Sequence, residues 1–365
     1  MSKAKQIERI LERRIRHGDY LLKELPAERE LAEEIGVSRM TARKAVQFLV
    51  KKGLLQRQPN GRLVVSREAE TRLLHVAFLV PSLVSSDVEQ WRLALDRLAE
   101  KFNMVTRTIL YVHWDDPVLL DAAEGLDGMF LIPNCEPMPD RIMERLRTAG
   151  RSLVILGQDM STLGLPSINL FPAVVVQQLL DHLAELGHRH IDCFNVQTVD
   201  PVVRARIDQW NLWRASHRMA GRVLGEPIEP YEQPLMSAYK QMGKILDEGK
   251  LQGTGLLCLT APAAIGAARA MADRNIQVGK DISVCVINDE GLARFMTPSL
   301  TSIETPDPTP YLSVCLDWLS GSNDQWVGSL LLEPSRLPLF VGSSTGPAPT
   351  SNLSAAKDRD HADTK

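Results

Sequence analysis

Hydrophobic spacing changes character once along the 365-residue chain, near position 75. Before that point apolar residues recur at helical intervals: Ile7, Ile10, Leu11 and Ile15; then Leu31, Ala32 and Ile35; then Ala42, Ala45, Val46 and Leu49. Each set falls on one side of a helix at 3.6 residues per turn, as a core-facing stripe does. Three helices are therefore predicted, over 6–17, 28–35 and 39–50, the first ended by Gly18. Gly36 permits a tight reversal between the second and third, which is helix-turn-helix spacing. Ser38 stands where a hydroxyl can cap the third helix, and Gly53 where a helix ends in the left-handed conformation. Leu54 to Arg57 and Leu63 to Ser66 read as two strands across the turn Pro59-Asn60-Gly61, a hairpin wing.

Beyond position 75, short apolar runs alternate with helical segments. The runs are 75–80, 105–112, 128–133, 153–157, 190–196, 255–259 and 282–288; the helices are expected near 88–102, 138–149, 173–187, 202–220, 237–249 and 261–274. Such alternation argues for parallel sheets covered by helices on both faces. About 270 residues are too many for one such sheet, so two lobes are expected. The predicted organisation is a winged helix-turn-helix module at 1–67, a linker at 68–74, a two-lobed α/β body at 75–346 and a disordered tail at 347–365, rich in Pro, Ser, Ala, Asp and Lys.

Charge sharpens the picture of the first part. Residues 1–67 hold 16 Lys and Arg against 8 Asp and Glu, a balance of +8, while the rest holds 26 against 37, a balance of −11. Arg39, Met40, Arg43, Lys44 and Gln47 lie on the arc of the third helix opposite its stripe. A basic helix face on an acidic body is what phosphate neutralisation and counterion release predict for a nucleic-acid reader. Arg57 and Arg62 flank the wing, where a basic loop could reach phosphates or the minor groove.

Other features exclude more than they suggest. The five cysteines are odd in number, scattered, and without Cys-x-x-Cys spacing, which reads as buried thiols in a reducing compartment. No run approaches the ~18 apolar residues of a membrane span, and the first residues lack a signal peptide's apolar centre, so a cytoplasmic chain is expected. Gly342-Ser343-Ser344-Thr345-Gly346 fits a nucleophile elbow, but Pro347-Ala348-Pro349 follows where a helix is required. His188, His190 and Cys193 are close in sequence, yet alternation puts His190 and Cys193 on opposite faces of a strand with no fourth ligand in view. Asp115 or Asp116 reads as a helix cap before Pro117. No phosphate-cradling glycine motif follows a strand. No enzyme activity, metal or cofactor is expected.

Leu25-Pro26-Ala27-Glu28-Arg29-Glu30-Leu31-Ala32, Gly36-Val37-Ser38-Arg39-Met40-Thr41-Ala42-Arg43 and Gly53-Leu54-Leu55 resemble the N-terminal domain of the GntR family of bacterial transcription regulators, over about residues 5–66. The resemblance implies that Arg29, Arg39 and Arg43 meet DNA, that Ser38 and Met40 lie at the groove-facing start of the recognition helix, and that Asn60-Gly61 form the wing tip. The candidate DNA-contacting set is Arg29, Ser38, Arg39, Met40, Thr41, Arg43, Lys44, Asn60, Gly61 and Arg62. Arg62-Leu63-Val64-Val65 departs from the Gly-Thr-Phe-Val more usual in the family.

The body resembles the effector domain of the LacI family, a two-lobed periplasmic-binding-protein-like fold, over about 75–346. The matching passages are 126–131, 183–191, 265–271 and 287–303, the last reading INDEGLARFMTPSLTSI. The pairing is similar to arabinose-repressor-type proteins. By the resemblance a small molecule, a sugar or sugar derivative, sits between the lobes: Arg206 matches the effector-gripping arginine, Asn288 stands at a hydroxyl-binding acidic position with Asp289 beside it, and Ser82 and Trp91 close the pocket from the other lobe. Gly157, Phe171 and Ala261 replace three aspartates of the family pattern. Those losses shift the expected effector from a plain hexose or pentose toward an apolar or anionic molecule, or none. The whole then reads as an effector-controlled repressor, a homodimer on pseudo-palindromic double-stranded DNA. Two alternatives stay open: a regulator whose sensor only dimerises, and a carbohydrate-binding protein or enzyme with an accessory N-terminal domain.

Overall fold

The computed structural model describes residues 3–16, 25–59, 61–66, 73–82, 86–119, 121, 126–148, 152–229, 232–320, 326 and 328–350. Gly18, Asn60, residues 68–72 of the expected linker and 351–365 of the expected tail lie outside them.

Three helices, α1 (Lys3–Arg16), α2 (Glu28–Ile35) and α3 (Arg39–Lys51), precede an antiparallel hairpin of β1 (Leu55–Arg57) and β2 (Leu63–Val65). Ile7, Leu11, Ile15, Leu31, Ala45, Val46, Leu49, Leu55 and Leu63 form one core. Ile10 does not join it and is 37% exposed. At about 100° per residue Ile10 lies roughly 140° from Ile15, off the stripe's edge. Gly36 and Gly53 adopt φ of 68° and 74°, the left-handed conformation that closes α2 and the turn after α3. Ala27 has no side-chain acceptor, so α2 carries only half a capping box, the Ala27 amide donating to Glu30 Oε2 at 3.1 Å.

The body has two six-stranded sheets. The first lobe contains β3 (Leu74–Pro81), α4 (Ser86–Leu98), β4 (Met104–Tyr111), β5 (Gly128–Leu131), α5 (Asp140–Thr148), β6 (Ser152–Leu156) and β7 (Ser167–Ile168). The second contains α6 (Val175–Glu185), β8 (Ile191–Phe194), α7 (Pro201–Ser216), β9 (Val223–Leu224), α8 (Pro234–Asp247), β10 (Gly255–Cys258), α9 (Ala261–Ala272), β11 (Ser283–Asn288) and β12 (Thr301–Ile303). The chain then returns to the first lobe for α10 (Thr309–Ser320) and β13 (Leu331–Leu332), and ends in the second with β14 (Leu339–Phe340). The strand orders are β13-β7-β6-β5-β3-β4 and β14-β12-β11-β10-β8-β9. Among the described residues all their pairings are parallel except β12 with β14. Three crossings thus join the lobes, β7 to α6, β12 to α10 and β13 to β14.

Both faces of each sheet are covered, which explains the unbroken apolar runs. In β3, Val76, Phe78 and Val80 enter one cluster while Ala77 and Leu79 enter another with Ile142 and Leu146 of α5. In β10, Leu257 faces α6 and α7 while Leu256 and Cys258 face α8 and α9. The sequence pattern missed α10 and the strands β7, β9, β12, β13 and β14. Two or three residues are too few to display alternation, and these strands become strands only by docking on an existing edge. Ala348 donates its amide to Leu186 O at 2.9 Å, so the expected tail begins held against the end of α6. Among the described residues no helix is long and apolar enough to cross a membrane.

Candidate nucleic-acid interface and interlobe site

The third helix presents its basic arc at the surface. Ala42, Ala45, Val46 and Leu49 are buried, which turns Arg39, Met40, Arg43 and Lys44 outward, Met40 being 63% exposed. Ser38 caps the helix, its hydroxyl accepting from Thr41 N at 3.2 Å and meeting Thr41 Oγ1 at 2.8 Å. Both hydroxyls are therefore occupied in building the helix start. Among the described residues, Arg39, Arg43 and Lys44 have no acidic partner. Lys52, the C-cap at the other end of the helix, is different: its ammonium lies 2.6 Å from Glu8 and 2.9 Å from Glu12, and those hydrogen bonds raise its pKa. Arg57 is likewise engaged, donating to Gly61 O at 3.1 Å and pairing with Glu28, so it ties the wing to α2. Arg29 is exposed and 4.0 Å from Glu33. Gly61 holds φ of 82° at the exposed wing tip beside exposed Arg62.

In the body, the effector candidates gather at the carboxyl ends of the parallel strands, where ligands of open α/β sheets bind. Ser82 follows β3, exposed, its amide bonded to Tyr111 O at 2.8 Å. Asn288 ends β11, and its Nδ2 donates across the lobes to Asp87 Oδ1 at 3.4 Å. Arg206 projects from α7, is 8% exposed, and donates from Nη1 to Leu259 O, just after β10, at 2.9 Å. Asp289 is buried and accepts from Gly291 N at 3.0 Å and Thr305 Oγ1 at 2.8 Å. Trp91 does not close the pocket as the resemblance implied. It is 2% exposed, in the core with Ala94, Leu95 and Leu98. Spacing of i, i+3, i+4 and i+7 puts all four on the inner face of α4, so the indole is packed and not open to a ligand.

Two acidic residues that the sequence did not single out belong to this group. Asp87, in the first turn of α4, and Asp200, the N-cap of α7 accepting from Val203 N at 2.7 Å, both act electrostatically on Arg206. Burial pushes both carboxyls above their ordinary range and the Arg206 guanidinium below its own. Asp200-Pro201 carried a cap signal in the sequence; Asp87 carried none that distinguished it from a solvated first-turn acid.

The remaining motifs serve the fold. His188 is fully buried, its ring nitrogens 2.9 Å from Thr254 Oγ1 and 2.8 Å from Ser283 Oγ, and burial lowers its pKa. His190 faces Asp192 at 3.1 Å while Cys193 points into the core on the other face. Ser344 is fully buried, accepting from Thr301 N at 2.8 Å and donating to Val284 O at 2.6 Å, so its hydroxyl ties three segments of the second lobe. Asp116 accepts from Val118 N at 3.1 Å, as a cap does.

A winged helix-turn-helix module followed by a two-lobed body with crossing connections defines the class: residues 3–65 match bacterial regulatory proteins of the gntR family, and residues 180–308 match the periplasmic binding protein-like domain. The chain thus joins a GntR-type helix-turn-helix domain to a periplasmic-binding-protein-like domain. It is similar to an HTH-type transcriptional regulator in the aml 5' region of Streptomyces limosus, 27% identical over 50% of each chain. The HTH-type transcriptional regulator MalR of Streptomyces coelicolor is 29% identical over 45% of this chain and 48% of its own. The lactose operon repressor of Escherichia coli is 30% identical over 34% and 33%. The chain spans about half the length, or less, of these curated relatives. Among solved structures, the lac repressor dimer bound to operator and the anti-inducer ONPF superposes with a TM-score of 0.63 at 20% identity, over 77% of this chain and 96% of that one. A LacI family regulator from Enterococcus faecium with bound ribose gives 0.63 at 19%, over 75% and 100%. These likenesses establish the fold of the body.

Proposed function

We propose that the chain is a sequence-specific DNA-binding transcriptional repressor, a homodimer whose hold on its operator is set by a small molecule between the two lobes. The observation that carries this reading is the exposed start of α3, where Arg39, Arg43 and Lys44 have no acidic partner among the described residues while Lys52 and Arg57 elsewhere in the module do. Side chains left free in this way suit a major groove, where an arginine can pair with guanine, and neighbouring phosphates. In a two-fold dimer two such helices would meet half-sites about one helical turn apart. The roles of Arg29, the capping pair Ser38 and Thr41, Met40, and the wing residues Asn60, Gly61 and Arg62 belong to the same reading: Arg29 and the wing position the backbone, and Met40 offers apolar contact to a base.

The interlobe group supports control by a ligand. Asn288 and Arg206 from the second lobe act on Asp87 of the first, Asp289 follows Asn288 in the chain, and Ser82 stands at the end of β3. A molecule bridging both lobes would favour the closed arrangement by its differential affinity, which is what an effector must do. The test is selection of bound duplexes from a random pool, followed by titration at several salt concentrations. A single enriched pseudo-palindrome with a steep fall of affinity in salt is expected. An accessory assembly domain would give weak, salt-insensitive binding and no enriched sequence. A body that only dimerises would leave its melting temperature unmoved by every small molecule, whereas a true effector raises it by mass action.

A further inference from the structure

The start of α9 is a buried helix end whose donors are left over. Thr260 is its N-cap, yet among the described residues no side chain caps it and no acidic residue stands in its first turn, where Ala261 replaces an aspartate of the family pattern. Pro262 has no amide hydrogen, and the helix makes its first bond from Ala264 N to Thr260 O at 3.1 Å. Among the described residues no carbonyl takes the amides of Ala261 and Ala263. Thr260 is 8% exposed, and Ala261 and Ala263 are buried. Such an end ordinarily finds partners for its amides, and its dipole favours negative charge.

Two buried side chains beside it are short of partners as well. Arg206 donates from Nη1 to the carbonyl of Leu259, directly before Thr260, but its Nε has no partner among the described residues. The Thr260 hydroxyl has none either, although a threonine at an N-cap ordinarily accepts from the first turn. Asp87 and Asp200 act on Arg206 electrostatically, yet neither bonds to Nε or to that hydroxyl. Asp200 caps α7 through Val203 N, and Asp87 meets Asn288 Nδ2 across the lobes. Nε and the two amides are pure donors and the hydroxyl can act as one. All stand at or beside the carboxyl end of β10, where ligands of open α/β sheets bind, and buried polar atoms are nearly always paired.

We propose that the molecule held between the lobes carries an oxyanion, a carboxylate or phosphate group, seated at the start of α9 against the Thr260 hydroxyl, Arg206 Nε and the amides of Ala261 and Ala263. This rests on the effector-controlled reading above and names the chemistry of its ligand. Ala261 decides the class. An aspartate there would stand in the first turn and answer the helix end from within the chain; alanine leaves that end to an incoming group. An anion at a helix N-terminus meets both the amides and the dipole. An ammonium only donates, and would find no acceptor in Nε or the amides.

The experiment uses the full chain with acetate and inorganic phosphate as bare anions, and with two matched sets: glucose, gluconate and glucose 6-phosphate; galactose, galactonate and galactose 6-phosphate. Calorimetry is expected to show an anion binding about tenfold or more tightly than its neutral parent, as charge-assisted hydrogen bonds require. Preference for the acids assigns a carboxylate and preference for the esters a phosphate; either supports the proposal. Thr260→Val deletes an unpaired hydroxyl at nearly constant shape, so it should weaken anion binding about tenfold while the chain melts at or above the parent's temperature. Ala261→Asp supplies the missing carboxylate and should abolish anion binding. No anion binding, neutral sugars binding as tightly as their anions, anion binding that Thr260→Val leaves unchanged, or a Thr260→Val chain that melts well below the parent would each overturn the proposal. DNA titration of the same preparation keeps the two readings apart: intact, salt-sensitive binding to DNA alongside any of those results defeats the oxyanion assignment alone.

Discussion

Arg43→Ala and Lys52→Ala remove the same charge, one from within α3 and one from its C-cap, and should have different consequences. Arg43 is exposed with no acidic partner among the described residues, whereas Lys52 is held by Glu8 and Glu12 at 2.6 and 2.9 Å. An arginine on a base edge is worth about 1–3 kcal/mol, so its loss should weaken operator binding by about 5- to 150-fold. Should Arg43 hold a phosphate instead, the slope of log affinity against log salt should shrink by about 0.9, which over a fourfold rise in salt is a difference of about 3.5-fold. Lys52 already neutralises internal carboxylates, so its removal should leave both affinity and slope close to the parent's. The assay is fluorescence anisotropy on a labelled operator at four salt concentrations, with a scrambled duplex as reference. A base contact shows as a loss confined to the operator; a phosphate contact shows on both duplexes. Equal losses for the two variants, or none for Arg43→Ala, would refute the reasoning.

Other expectations follow from single contacts. Ser38→Ala removes the hydroxyl that accepts from Thr41 N, and should lower the module's stability by about 1 kcal/mol, read by chemical denaturation followed on the first domain; no change would mean the cap is dispensable. Leu49→Ala empties a fully buried site in the small core of the module and should cost about 2–5 kcal/mol, with DNA affinity falling in step with the folded fraction. Ser344→Ala strips buried partners from Thr301 N and Val284 O and should cost about 1–3 kcal/mol in the body, while operator affinity measured at low temperature stays unchanged. For pH, burial lowers His75, His182 and His188, so folding favours their neutral forms and the stability they contribute is present above about 6.5 and lost as pH falls through the lowered values. Asp87 and Asp200, raised by burial, act in the opposite sense, gaining stability as pH falls. The double variant Asp87→Asn with Asp200→Asn should therefore lose stability in acid more steeply than the parent; a shallower or equal dependence would contradict the assignment.

Much of the DNA module was legible because its determinants are local. The stripe Ala42, Ala45, Val46 and Leu49, the cap at Ser38 and the left-handed glycines at 36 and 53 involve residues a few positions apart, and the structure places each as expected. The larger sheets of the body were legible for the same reason, since each strand buried on both faces is a short apolar run. Ile10 shares the spacing but sits off the stripe's edge, because a helical interval alone does not fix which residues face the core. For Trp91, the helical face it shares with Ala94, Leu95 and Leu98 decides its fate more than its position after the first strand.

The chain's own spacing and charge thus determined a basic winged module ahead of an acidic body of parallel strands and helices. What it left open is which charges are answered. Lys52 meets Glu12 across 40 positions and Asn288 meets Asp87 across 201, contacts that no local pattern encodes. Whether a cation is free to meet DNA, or a carboxylate is drawn into the interlobe site, depends on distance and burial in three dimensions, and those were decided only when the tertiary fold brought the elements together.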